Sequence, residues 1–316
     1  MSMAERDGVI WLDGDFVPWR EAKVHVLTHT LHYGMGVFEG VRAYETDQGP
    51  CIFRLHEHTD RLFRSAHIMN MEIPFAKEQL NEAQIEAIRR NNLPHAYLRP
   101  MVFYGSEEMG LRATNLQVHV MVAAWEWPSY MSPEALELGI KVRTSSYTRH
   151  HVNIAMCKAK ANGNYINSML ALNEALSGGA DEALLLDPEG YVAEGSGENI
   201  FVIHDGVLYT PELTSCLDGI TRRSLIRIAE DEGYTVREKR ITRDEVYIAD
   251  EVFMTGTAAE VTPVRELDGR KIGEGRRGPI TEKLQNIYFD LVRGRLDRYG
   301  EWLTLVGPGG ARGTGS

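Results

Sequence analysis

Between Glu182 and Gly219 the sequence changes character every few residues, and that rhythm restricts the folds open to it. Asp187-Pro188-Glu189-Gly190 separates the run Glu182–Leu186 from Tyr191–Glu194, and Asp205-Gly206 separates Asn199–Ile203 from Val207–Thr210. Proline pre-sets φ, while Asp and Gly tolerate the positive φ of tight turns, so each pair of runs reads as a β-hairpin. Asp13-Gly14 within Val9–Phe16 is a third such signal. Helical spacing alternates with these hairpins. Leu55, Leu62, Ala66 and Met69 mark an amphipathic helix over Leu55–Met69, with Arg61 off the apolar line. Further helices are expected over Lys77–Asn91, Asn164–Leu176, from Thr221, and over Ile280–Leu296. Strands are expected at Tyr97–Tyr104, Leu116–Ala124, Ile140–Tyr147 and Glu251–Gly256. Hairpins interleaved with helices predict an α+β fold rather than a doubly wound sheet.

A chain of 316 residues holds two domains at about 150 residues each. The break falls at Trp125-Glu126-Trp127-Pro128-Ser129-Tyr130, reinforced by Pro133. We therefore expect a small first domain over 1–124, a connector over 125–135, a large domain over 136–306 and a mobile Gly-rich tail over 307–316. The net charge of -11 argues against a nucleic-acid partner, because an acidic surface repels phosphate backbones. Cys51, Cys157 and Cys216 are sparse and form no CxxC pair, as in a reducing compartment. No apolar run approaches the ~20 residues of a membrane helix, and MSMAERDG lacks the features of a targeting segment. A cytoplasmic protein with no membrane partner is expected. His25, His29 and His32 have metal-ligand spacing only if Val24–Leu31 is helical; a strand and loop would scatter them, and no metal is expected.

Four segments contain residues suited to chemistry. Lys160 lies among small residues just before a helix, with Gly163 leaving room near the backbone. A lysine of depressed pKa forms Schiff bases with carbonyls, although a lone lysine is usually a solvated surface residue, and Lys158 competes for the role. Glu194 ends a strand ahead of the turn Gly195-Ser196-Gly197; it is either a solvated hairpin residue or a buried acid that needs a partner such as a pyridinium nitrogen. Leu217-Asp218-Gly219-Ile220-Thr221-Arg222 opens a helix, either as a plain Thr N-cap or as a phosphate site built from free N–H groups. Thr255-Gly256-Thr257-Ala258-Ala259-Glu260 follows a strand, and Thr257 and Glu260 have capping-box spacing. Each signal is weak alone.

Their order and spacing resemble the fold-type-IV pyridoxal-phosphate (PLP) enzymes, the class IV aminotransferase family, and most of all its branched-chain-amino-acid members. The match runs through Glu194, Ser196, Asn199-Ile200-Phe201, Leu208-Tyr209-Thr210, Leu217, Gly219-Ile220 and Arg222, and extends from Trp11 to about Leu305. The resemblance implies two domains with the site at their interface. It implies that Lys160, five residues before Tyr165, holds PLP as a Schiff base, that Tyr165 faces the phenolic oxygen, and that Glu194 pairs with the ring nitrogen. Arg61, Gly219, Ile220, Thr221 and Thr257 would hold the cofactor's phosphate end. Tyr97-Leu98-Arg99 resembles the family's Tyr-x-Arg motif: Tyr97 and Ala258 would hold the substrate α-carboxylate and Arg99 the side-chain carboxylate of glutamate. Phe38, Gly40, Trp127, Tyr130 and Tyr165 would line an apolar pocket, and Tyr33 and Leu111 would reach a neighbouring subunit of a homodimer or larger assembly. The implied reaction is ping-pong transamination between L-Leu, L-Ile or L-Val and 2-oxoglutarate. D-amino-acid or (R)-amine transamination within the same fold, and a non-catalytic PLP-binding protein, are the alternatives. Asp218 departs from the proline common in relatives and brings a negative charge to the phosphate loop.

Overall fold

The computed structural model describes residues 2–127 and 132–307. The chain divides into two compact units, Met1–Pro128 with Asp290–Ser316, and Ser129–Phe289.

The first unit opens with β1 (Val9–Leu12) and β2 (Asp15–Pro18), joined at Asp13 and Gly14, both with positive φ, as the Asp-Gly signal requires. There follow α1 (His29–Tyr33), β3 (Gly36–Phe38), β4 (Val41–Thr46), β5 (Gly49–Phe53), α2 (Leu55–Ile68), α3 (Lys77–Arg90), β6 (Ala96–Tyr104) and β7 (Val118–Trp125). The sheet runs β5-β4-β6-β7-β1-β2, with β3 paired to β6. Alternate residues of β6 and β7 (Leu98, Val102, Val120 and Val122) point inward and are fully buried, as a half-buried sheet face demands. Leu62 of α2 and Leu80 and Ile88 of α3 are buried with them, each worth about 1.5–3 kcal/mol of burial.

The division corrects the expected boundaries at the C-terminus. Residues 290–306 belong with the first unit, not the second. The strand Leu303–Leu305 pairs antiparallel with Cys51–Phe53 of β5, and Trp302 sits edge-on to Phe53 and under the guanidinium of Arg54. The expected mobile tail after Gly307, and Tyr130 of the connector, lie outside the described residues.

The second unit contains α4 (Pro133–Leu138), β8 (Ile140–Thr144), α5 (Tyr165–Ser177), β9 (Glu182–Leu186), β10 (Val192–Gly195), β11 (Asn199–His204), β12 (Val207–Pro211), α6 (Ile220–Asp231), β13 (Val236–Lys239), α7 (Arg243–Tyr247), β14 (Glu251–Gly256), β15 (Glu260–Leu267) and α8 (Pro279–Val292), within which the unit boundary falls. Its sheet order is β10-β9-β8-β15-β14-β11-β12-β13. Phe201 and Phe253 are register partners on β11 and β14 and stack 4.8 Å apart, tying together the strands that carry Asn199 and Thr255. The strand expected to reach Tyr147 stops at Thr144, because the Ser145 hydroxyl and the Ser146 N–H turn to Glu174 of α5. Thr257 and Glu260 are not a capping box: Thr257–Ala259 is the turn of the β14–β15 hairpin, with Gly256 opposite Glu260.

Candidate active site

In the second unit a 3-10 turn, Asn162–Asn164, leads into α5 and sets Lys160 beside the first residue of that helix. The Lys160 amine donates to the Tyr165 hydroxyl at 2.5 Å. Lys158 faces elsewhere; its amine donates to the carbonyls of Leu213 and Cys216.

Glu194 sits at a bulge between β9 and β10 and is only 4% exposed. An isolated carboxylate there would be costly. Arg149 offsets that cost: its Nε and Nη2 donate to Glu194 Oε1 at 2.8 and 2.7 Å, and its Nη1 to Asn167 and Ser168 of α5. Burial works against the Arg149 charge, but Glu194 outweighs it and raises the guanidinium's pKa. The Leu217 N–H donates to Glu194 Oε2 at 3.1 Å. Oε2 therefore has capacity for one more donor. The sequence reading missed Arg149; it lies 45 residues from Glu194, in a segment with no chemical motif of its own.

α6 begins one residue before the expected Thr221, with Gly219 as N-cap and no side-chain cap. Gly219 is required by a close approach: a Cβ there would fall 2.0 Å from Asn199 Oδ1, whose amide donates to Leu217 O at 2.9 Å. The first-turn N–H groups of Ile220 and Thr221 have no carbonyl partner within the helix. The Asp218 charge is matched by Arg223 one turn on. Thr257 and Ala258 are half-buried in the β14–β15 turn. Lys160, Tyr165, Arg149, Glu194 and Leu217 line one small cavity, although they come from well-separated stretches of chain.

The first unit gathers a second set. Tyr97 and Arg99 share a face of β6, and Arg99 Nη2 donates to Tyr97 Oη at 3.3 Å. The Tyr97 ring lies 4.5 Å from that of Trp127, and the Arg99 guanidinium 4.5 Å over Phe38. Gly40 leaves room for Tyr97; a Cβ would come within 2.1 Å of its hydroxyl. Arg99 Nε is buried and has no hydrogen-bond partner among the described residues. Arg61, off the apolar line of α2, is nonetheless only 5% exposed. Glu39, between β3 and β4, takes Arg61 Nε at 2.6 Å, Arg61 Nη2 at 2.8 Å and His58 Nδ1 at 2.8 Å. Burial alone would raise the Glu39 carboxyl; Arg61 and His58 overcome it and hold the pKa well below the usual range. Tyr33 and Leu111 are 40% and 89% exposed. The histidines considered as metal ligands contact backbone instead: His29 with Gly110 O, His32 with Val26 O and His25 with Leu27 N.

A family model for class IV aminotransferases matches residues 36–267, which contain both sets except Tyr33. The chain belongs to the class IV aminotransferase family. It is 71% identical to the branched-chain-amino-acid aminotransferase of Pseudomonas aeruginosa, over 97% of this chain and all of that protein. Among solved structures it is similar to the T.th. branched-chain amino acid aminotransferase with pyridoxamine 5'-phosphate, at 54% identity and a TM-score of 0.93, covering 96% of this chain and 99% of that one. The same T.th. enzyme complexed with N-(5'-phosphopyridoxyl)-L-glutamate matches at 53% identity and a TM-score of 0.91, with the same coverage.

Proposed function

We propose that this chain is a PLP-dependent transaminase that moves the amino group of L-Leu, L-Ile or L-Val to 2-oxoglutarate, giving branched 2-oxo acids and L-glutamate. The full-length likeness to branched-chain enzymes supports this reading. The observation that carries it is the cavity that joins the Lys160 amine, the Tyr165 phenol and the Glu194 carboxylate.

These residues fit PLP group by group. Lys160 offers an amine for the aldehyde, Tyr165 a hydroxyl for the phenolic oxygen, and Glu194 Oε2 a free acceptor position for the ring N–H. Gly219, Ile220, Thr221 and Thr257 offer backbone and hydroxyl donors to a phosphate, and Arg61 a guanidinium already held in place by Glu39. Bound PLP supplies an electron sink for the charge that develops at the amino acid's Cα. Lys160 Nζ would take the proton from the substrate Cα as general base and return it, as general acid, to the cofactor carbon on the other side of the transferred nitrogen. Tyr165 orients that amine through its 2.5 Å bond. Glu194, held in place by Arg149, would take the ring N–H.

Substrate choice falls to Tyr97 and Ala258 for the α-carboxylate and to Phe38, Gly40, Trp127 and Tyr130 for the apolar side chain. Arg99 receives the second carboxylate of glutamate, which its unpartnered buried Nε supports. The T.th. complex with a phosphopyridoxyl-glutamate agrees with glutamate as the second substrate. The exposed Tyr33 and Leu111, with Ile166 and Met169 of α5 at 65% and 63% exposure, support a homodimer or larger assembly. We place the enzyme in the cytoplasm.

A panel of L-amino acids, D-amino acids and (R)-amines with 2-oxoglutarate tests the assignment. L-leucine-dependent formation of glutamate is expected; its absence would sink the reading.

A further inference from the structure

Glu182 and Glu198 are buried carboxyls outside the set described above. Glu182 opens β9, and Glu198 ends the turn between β10 and β11. They lie within hydrogen-bonding reach of one another. Two carboxylates without a proton would repel at that distance, and neither has an ion pair with Lys, Arg or His among the described residues. The groups that face them add no compensating charge. β8 presents Val142 opposite Glu182, β14 presents Met254 and Gly256, and β10 contributes a further negative charge at Glu194.

The donors around the pair identify where the proton resides. Glu182 accepts from the N–H of Ala183 at 2.7 Å, the N–H of Ser196 at 3.2 Å and the Ser196 side chain, so it is the ionised member. Among the described residues Glu198 accepts from the Gly197 N–H alone, at 3.0 Å, and is the member that carries the hydrogen. Burial, reinforced by the Glu182 charge, pushes its pKa well above the ordinary value.

Glu198 also occupies space that two glycines leave open. A Cβ on Gly195 would lie 2.9 Å from Glu198 Oε2, and a Cβ on Gly256 would lie 3.6 Å from Glu198 Cγ and 3.3 Å from Gly197 O. Gly195 follows Glu194, and Gly256 precedes Thr257. Ser196-Gly197-Glu198 is thus packed against both segments that reach the proposed cofactor contacts.

We propose that Glu182 and Glu198 share one proton and together clamp the Ser196-Gly197 turn, making them positioning residues for Glu194 and Thr257. The positioning role rests on the reading of Glu194 and Thr257 as cofactor contacts. The folded protein keeps the shared proton to higher pH than the unfolded chain, whose glutamates titrate near 4.5. Above 4.5 the folded state therefore binds more protons than the unfolded one, and stability from this pair falls as pH rises.

The test compares wild-type holoenzyme with Glu198→Gln, Glu198→Ala and Glu194→Ala, by thermal unfolding from about pH 5 to about pH 8 and by release of PLP on dialysis. In Glu198→Gln the amide donates to Glu182 and its oxygen accepts from Gly197 without any titratable proton. Its melting temperature should gain on wild type as pH rises, and it should keep PLP. Glu198→Ala should fold but hold PLP roughly ten- to hundredfold more weakly, the scale of an unmatched buried hydrogen bond. Parallel pH curves for wild type and Glu198→Gln would overturn the shared proton, as would a Glu198→Gln that fails to fold while Glu198→Ala folds. PLP held normally by Glu198→Ala but lost from Glu194→Ala would overturn the clamp alone. PLP held normally by Glu194→Ala would instead overturn the reading of Glu194.

Discussion

At the scale of single residues, the amine of Lys160 and that of Lys158 are two residues apart and chemically alike, and their surroundings separate them. Lys158 is bonded to two backbone carbonyls of the stretch 213–216, while Lys160 faces a phenol in a cavity that also contains Glu194. An amine whose hydrogens are committed to two backbone carbonyls is held away from that cavity. Lys160→Ala is therefore expected to lose the covalent PLP adduct that borohydride fixes, and Lys158→Ala to keep it, as read by intact-protein mass spectrometry. The reverse pattern would show that the wrong lysine is assigned. Lys160, Tyr165 and Glu194 were legible as candidates because their residue types suit the chemistry and their spacing follows a family pattern. Arg149 was not, because nothing in a lone arginine beside two histidines points to a carboxylate 45 residues away.

At the scale of elements, Glu39 joins the β3–β4 connection to α2 through Arg61 and His58, all nearly fully buried. Removing one partner of a buried pair leaves the other charge unpaired, so Glu39→Ala should destabilise the protein by about 3–5 kcal/mol near neutral pH. The pKa of Glu39 is depressed in the folded state. Its contribution is present above the ordinary carboxylate value of 4.5 and is lost as pH falls below it. Denaturant melts of wild type and variant should differ most at neutral pH and converge on acidification; a constant gap down to about pH 3 would refute the role of this ionisation. Arg61 lies off the apolar line of α2 and is buried all the same, for a physical reason. A charged residue on the buried side of a helix is admissible once another element presents its counter-ion, and helical spacing does not report the counter-ion.

At the scale of the whole molecule, the strand Leu303–Leu305 completes the edge of the first unit's sheet, although most of the chain, including the whole second unit, lies between it and β5 in sequence. Deleting residues 300–316 would leave the β5 edge unpaired and remove Trp302 from Phe53 and Arg54. An unpaired edge strand invites association, so the shortened protein should unfold at lower temperature and aggregate in light scattering. An unchanged melting temperature would count against the strand's contribution. Such a pairing could not be read ahead of the fold, whereas the local elements could. Turn pairs such as Asp13-Gly14 and Asp205-Gly206, and the apolar spacing of α2 and α3, each specified a hairpin or a helix, because turn chemistry and periodicity act over a few residues. The strands β3, β4, β5, β13 and β15 and the C-terminal strand were not anticipated. The cofactor family was also legible, because a reaction needs particular residue types at particular separations. Sheet order, the pairing of Glu194 with Arg149 and of Arg61 with Glu39, and the shared seat of Glu182 and Glu198 arose only in three dimensions. Each depends on which distant segment fills a buried space, and a buried charge takes whatever partner the fold brings to it.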